Sequence, residues 1–145
     1  QGLVAIGRIE VIPRRRGRKG TKTSKRRKSR LGMKRECDRL FAVAVKARDG
    51  WACRACGSHM RPQCAHLVSR RYAATRWDFG TPGNAVCLCA SCHVKFTHRP
   101  LEWEAWIEEK WPGHLDRLKA RALAGVAWVD YEAIAASLTG GKYVF

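Results

Sequence analysis

Two Cys-x-x-Cys pairs constrain this chain more than any other feature: Cys53-Arg-Ala-Cys56 and Cys89-Ala-Ser-Cys92, separated by residues 57–88. Two residues between cysteines let both thiolates turn toward one ion, and two such pairs complete a tetrahedral shell with no open position. The expectation is a structural Zn2+ held by Cys53, Cys56, Cys89 and Cys92, tying together two loops of a domain with a thin apolar core. Disulfides are disfavoured, because the first residues lack the charged-then-apolar order of a secretory signal. Cys89-Ala-Ser-Cys92-His93 also matches a c-type haem attachment sequence, but that role leaves Cys53 and Cys56 unexplained. A zinc deaminase needs His-x-Glu, whereas Leu67-Val68 follow His66. Cys37, Cys64 and Cys87 lie outside the pairs and read as small buried hydrophobes.

Charge points to a polyanion. The net charge is +17, and residues 1–35 hold fourteen Lys and Arg against the single acid Glu10, a local +13. Residues 14–30 place eleven basic side chains among Gly, Ser and Thr with nothing apolar to bury. Such a stretch cannot build a core, so a disordered basic arm is expected, with Arg14, Arg15, Arg16, Arg18, Lys19, Arg26, Arg27 and Lys28 as phosphate contacts. An anionic membrane is a poor alternative, because the arm has no apolar face to insert. No run of eighteen apolar residues occurs, so no membrane span is expected. The reading is a cytoplasmic protein, not a secreted one, whose partner is a polyanion.

Periodicity divides the chain into the arm (1–32), a core carrying the cysteines (33–99) and a helical extension (100–145). Residues 3–12 suggest a short strand ended by Pro13. Cys37, Leu40, Phe41, Ala44, Val45 and Arg48 recur at helical spacing from Met33 to Arg48, with Asp49-Gly50 as the stop. Ala85-Val86-Cys87-Leu88 fits a brief buried strand, Gly80-Thr81-Pro82-Gly83 a turn, and Ser91 to Phe96 the start of a helix. Trp103, Trp106, Ile107 and Trp111 share one helical face, which suits core packing better than base stacking. Pro112-Gly113 breaks that helix, Leu115, Leu118 and Ala122 begin another, and Asp130 caps a last one. The fold class is α+β.

Cys64-Ala-His66-Leu-Val-Ser-Arg70-Arg71-Tyr lies between the cysteine pairs, followed by Gly83-Asn84 and then His93 directly after the second pair. Asn84 is the only asparagine in the chain. The order His66, Asn84, His93, interleaved with four cysteines over about Cys53 to Thr97, resembles the zinc-containing HNH endonuclease superfamily. Ser69-Arg70-Arg71, Ala73-Ala74-Thr75-Arg76-Trp77-Asp78 and the tryptophans after the last knuckle are similar to phage recombination endonucleases of the NinG/Rap type, which act on branched intermediates.

The resemblance implies a small zinc-stapled ββα-metal domain with flanking helices, hydrolysing DNA phosphodiesters with a divalent ion, Mg2+ or Mn2+, to leave a 5′ phosphate and a 3′ hydroxyl. It implies His66 as general base, Asn84 as the residue fixing the loop that orients it, and His93 as a metal ligand. Arg70, Arg71 and Arg76 would clamp phosphates beside the site. One departure stands out. Many relatives place Asp or His, a second metal ligand, where this chain has Ala65. The remaining ligand is then His98, a residue near Asp78, or water alone. His59 and His114 read as incidental, and a homodimer would suit symmetric cutting of a branched substrate. The main rival is a non-catalytic zinc-knuckle DNA-binding protein. An RNA-binding ribonucleoprotein component would explain charge and zinc but leaves the His66, Asn84, His93 order without a role.

Overall fold

The computed structural model describes residues 29–140 of the chain. The expected strand at 3–12 and the arm's phosphate-binding candidates, Arg14 to Lys28, lie outside the described residues. The elements run α1 (Arg30–Arg48), β1 (Pro62–His66), β2 (Ala85–Cys89), α2 (Ala90–His98), α3 (Pro100–Lys110), α4 (His114–Ala124) and α5 (Tyr131–Gly140). This is an α+β arrangement. No described helix is long and apolar enough to cross a membrane.

α1 begins three residues earlier than the periodicity predicts. Ser29 caps it, its hydroxyl accepting from the Gly32 amide at 3.1 Å, so Arg30, Leu31 and Gly32 belong to the helix and not to the arm. Asp130 caps α5 as expected, accepting from the amides of Glu132 and Ala133, each at 3.0 Å.

β1 and β2 form an antiparallel hairpin in which His66 opposes Ala85 and Pro62 opposes Cys89. Side chains alternate between its faces. Ala85 meets Phe41, Ala44 and Val45 of α1 and Leu138 of α5, whereas Ala65, Val86 and Leu88 meet Phe96, Ile107, Leu115 and Leu118 from α2–α4. Because helices cover both faces, every residue of β2 is buried, and its sequence reads as a continuous apolar run. Phe96, Trp103, Trp106 and Trp111 form one aromatic nest under the second face, with the Trp103 and Trp106 rings stacked at 5.3 Å. They are core-packing residues, as their spacing suggests. The extension from residue 100 is therefore part of the same packing unit as the cysteine-bearing segment.

A charged junction fixes the long loop between the strands. From the end of α1, Arg48 donates to the carbonyls of Gly80, Pro82 and Ala85, each at 2.7 Å, and pairs with Asp49 at 2.9 Å. Asp49 in turn accepts from the Cys87 amide at 2.7 Å, which covers the free edge of β2. On the other side His114 Nε2 donates to the Gly83 carbonyl at 2.8 Å, and Arg121 pairs with Asp78 at 2.7 Å. His114, which reads as incidental in the sequence, thus pins the turn that precedes Asn84. Gly83 itself has φ +62°, and a Cβ there would run into the Asp78 carbonyl and the Gly80 nitrogen, so no other residue fits.

Removing the Arg48 fork leaves three carbonyls and a buried carboxylate without their partner. Arg48→Met should cost about 3–5 kcal/mol in a denaturant melt. Arg48→Lys should recover only part of that, because an ammonium cannot reproduce the planar geometry.

Candidate functional site

The four cysteines converge. Their sulfurs all lie within 4.8 Å of one another, with Cys56 Sγ and Cys89 Sγ 3.7 Å apart. A tetrahedron with metal–sulfur bonds of ~2.3 Å has sulfur–sulfur edges of about 3.8 Å, so the donor set and its size suit zinc. Local folding explains the convergence. Cys53 opens a tight loop in which its amide donates to the Ser58 carbonyl at 2.9 Å and its carbonyl accepts from the Gly57 amide at 2.7 Å. Cys89 ends β2 and caps α2, its sulfur accepting from the Cys92 amide at 3.4 Å. Thiols this close resist ionising together: burial and the neighbouring sulfurs push Cys92 up. Cys53 goes the other way; against its burial, backbone hydrogen bonds bring it down to about 7. A dication among them removes the repulsion.

The second centre is a cleft of about 450 Å3 lined by Asp38, Ala42, Cys64, His66, Ser69, Arg70 and His93. His66, at the end of β1, and His93, in the first turns of α2, therefore face one space from positions 27 residues apart in sequence. Asn84 holds the loop beside His66. Fully buried, it uses its carboxamide as a second peptide group: Oδ1 accepts from the Val68 amide at 2.7 Å and Nδ2 donates to the Val68 carbonyl at 3.0 Å. Together with the bond from the Leu67 amide to the Asn84 carbonyl at 2.9 Å, it extends the hairpin ladder past His66.

Each imidazole has a polar partner that fixes its tautomer. His66 Nε2 lies 3.2 Å from the Arg76 carbonyl. A carbonyl only accepts, so Nε2 carries the proton and Nδ1 keeps its lone pair. The ring stacks on Phe41 at 5.4 Å, and burial lowers its pKa from the ordinary 6.5. His93 Nδ1 lies 2.6 Å from Gln63 Oε1; by the same logic Nδ1 donates and Nε2 is left as an electron-pair donor. Gln63 is a site residue the sequence reading missed. Its only signal is β1 itself, a five-residue strand that begins with proline and is too short and polar to stand out.

Several expected contributors are elsewhere. Ala65 is buried in the core under the second face of the hairpin, so the strand brings no ligand at that position. His98 is exposed at the end of α2 and does not line the cleft, and the Asp78 carboxylate is paired with Arg121. Cys64 is half-buried and lines the cleft, unlike the fully buried Cys37 and Cys87; burial pushes its thiol up to about 12, which makes it a poor nucleophile or ligand.

The three arginines have separate fates. Arg70 is exposed at the lip of the cleft, and Arg71 is exposed with its guanidinium over the Tyr72 ring at 4.7 Å. Arg76 corrects the sequence expectation. Only 8% exposed, it grips Asp38 through two bonds of 2.7 and 2.6 Å and also donates to the Arg70 carbonyl. Its guanidinium is spent inside the protein and is not presented to a phosphate. Despite the burial that works against it, this pairing holds Asp38 below its usual range, and Trp77 Nε1 adds a third bond to Asp38 at 2.9 Å.

No protein-family model matches this chain, and no curated protein or solved structure matches it significantly.

Cobalt(II) titration of the purified protein should give the intense visible spectrum of a tetrahedral thiolate site. Cys53→Ser should abolish that spectrum and lower the melting temperature; a fully folded, metal-free variant would contradict the convergence of all four sulfurs on one ion.

Proposed function

We propose that this protein is a metal-dependent DNA endonuclease of the HNH type, a zinc-stapled ββα-metal domain that hydrolyses phosphodiesters, with branched recombination intermediates of phage DNA as the natural substrate class. The observation that carries the reading is the pairing of His66 and His93 across one open cleft, each with its tautomer set by a separate hydrogen bond. In this reading Cys53, Cys56, Cys89 and Cys92 hold a structural Zn2+, and the basic arm supplies sequence-independent attraction to DNA.

His66 suits a general base. The Arg76 carbonyl keeps the proton on Nε2 and aims the chemistry at Nδ1, while burial keeps the ring uncharged near neutral pH. Asn84 keeps the backbone after His66 from relaxing, so the imidazole is held by main chain on both sides. His93 Nε2 would be the protein ligand of a catalytic Mg2+ or Mn2+, with Gln63 orienting the ring as outer-shell partners of metal-bound histidines do. When bound, that ion would neutralise phosphate charge and stabilise the departing oxygen. The donor set fits Mn2+, which tolerates imidazole, better than Mg2+, which prefers oxygen. Among the described residues lining the cleft the one carboxylate, Asp38, is committed to Arg76, so water and the substrate would complete the shell. Arg70 at the lip is the described arginine placed to meet a phosphate.

That sparse ligand set is what favours a second reading, a zinc-knuckle DNA-binding protein that keeps the fold without the chemistry. Plasmid nicking separates the two. The nuclease reading expects cutting with Mn2+ or Mg2+ and a loss of about 100- to 10,000-fold in His66→Ala. His66→Gln, which can still donate to the Arg76 carbonyl, serves as the folded control and should be equally inactive. Tight DNA binding with no cutting under any divalent ion would establish the second reading.

The pH profile follows from the buried ring. Since burial lowers the His66 pKa from the ordinary 6.5, the acid limb of cleavage, where the base becomes protonated, should be centred below pH 6.5. An acid limb centred above 6.5 would contradict this assignment. Gln63→Ala should weaken Mn2+ binding roughly 10- to 100-fold by calorimetry while leaving the fold intact.

A further inference from the structure

A second cavity of about 430 Å3 lies where the first turn of α1 meets the start of α5, lined by Arg30, Met33, Trp128, Val129, Asp130, Tyr131 and Glu132. Trp128 is unlike the tryptophans of the core: it is 70% exposed, on the segment between α4 and α5. The Arg30 guanidinium stands 4.2 Å from the centre of its ring and 5.1 Å from that of Tyr131. With Arg30 against the indole and most of the residue still exposed, the rest of its surface is open to solvent. An indole held in place by a cation and left open is costly to leave against water and well suited to a flat aromatic partner.

Two features identify that partner's chemistry. The cavity adjoins the basic segment directly, since Arg30 is the last of the eleven basic residues in 14–30. It also adjoins the catalytic cleft: Tyr131 packs edge-on against Trp77 at 5.6 Å, and Trp77 donates to Asp38, a wall of that cleft. Along α1, Arg30 and Asp38 are eight residues apart, about 12 Å. The cavity thus follows the basic segment in sequence and lies within the reach of a few nucleotides from the cleft. Asp130 and Glu132 at its edge disfavour a phosphate there, so the fit is to the face of a base and not to the backbone.

We propose that Trp128, backed by Arg30 and Tyr131, is a stacking subsite for one unpaired nucleobase of a strand that continues into the cleft. Stacking of this kind needs a base free of the duplex, because the faces of paired bases are already covered. The subsite therefore distinguishes DNA with an unpaired stretch beside the cut from continuous duplex. It rests on the nuclease reading for the strand's destination, although the stacking itself does not require cleavage.

The test is a binding measurement on the full chain with zinc present and no added catalytic metal. Single-stranded, gapped and fully paired oligonucleotides, with 2-aminopurine in the unpaired stretch, are titrated with wild type, Trp128→Ala and Trp128→Phe. Wild type should quench the 2-aminopurine. Trp128→Ala should lose the quenching and bind single-stranded and gapped DNA roughly tenfold or more weakly, with duplex affinity unchanged; Trp128→Phe should restore much of both. Equal weakening on all three DNAs, or unaltered quenching in Trp128→Ala, would overturn the subsite while leaving the nuclease reading untouched. Absence of DNA binding by wild type would overturn both. Normal base stacking in a protein that never cleaves would instead sink the nuclease reading alone.

Discussion

Four sulfurs brought within 4.8 Å of one another set the terms for everything else in this molecule. Thiolates packed so closely repel one another without a cation, yet the backbone on both sides is already shaped to hold them. One pair sits in a tight loop after α1, and the other joins β2 to α2. The second junction matters most. Because Cys89 is at once the last residue of β2 and the cap of α2, the position of the sulfurs fixes the angle at which α2 leaves the hairpin. That angle brings His93 over β1 and within 2.6 Å of Gln63.

The hairpin has two strands and would not persist by itself. Its stability comes from helices on both faces and from the two clamps on its connecting loop, Arg48 from α1 and His114 from α4. Asn84 then transfers that rigidity to His66 through the Val68 backbone. The chemistry proposed for His66 thus depends on a chain of main-chain contacts that starts far from it, and among the described residues the ring has one hydrogen-bond partner, the Arg76 carbonyl.

Features set by local pattern were readable in the sequence. The cysteine spacing, the helical face of Phe41, Ala44 and Val45, the apolar run of β2 and the tryptophan stripe all follow from rules that act over a few residues. What escaped reading depends on register between distant segments. Arg76 looks like one of a cluster of surface cations until α1 places Asp38 beside it, 38 positions away. Gln63 is an ordinary polar residue until β1 faces α2. His114 has no local motif at all, and its partner is the carbonyl of a turn 31 residues earlier. Trp128 was passed over for a related reason: composition reveals that a chain has tryptophans, whereas only packing separates those set against the core from Trp128, which is 70% exposed.

The idea on which the site stands is that folding presents His66 as a neutral ring with its free electron pair on Nδ1. Long-range nitrogen–proton NMR on the imidazoles of the zinc-loaded protein at neutral pH measures this directly. The account predicts a His66 spectrum of the Nε2-protonated tautomer, with Nδ1 bare. A ring protonated on Nδ1, or on both nitrogens at that pH, would contradict it.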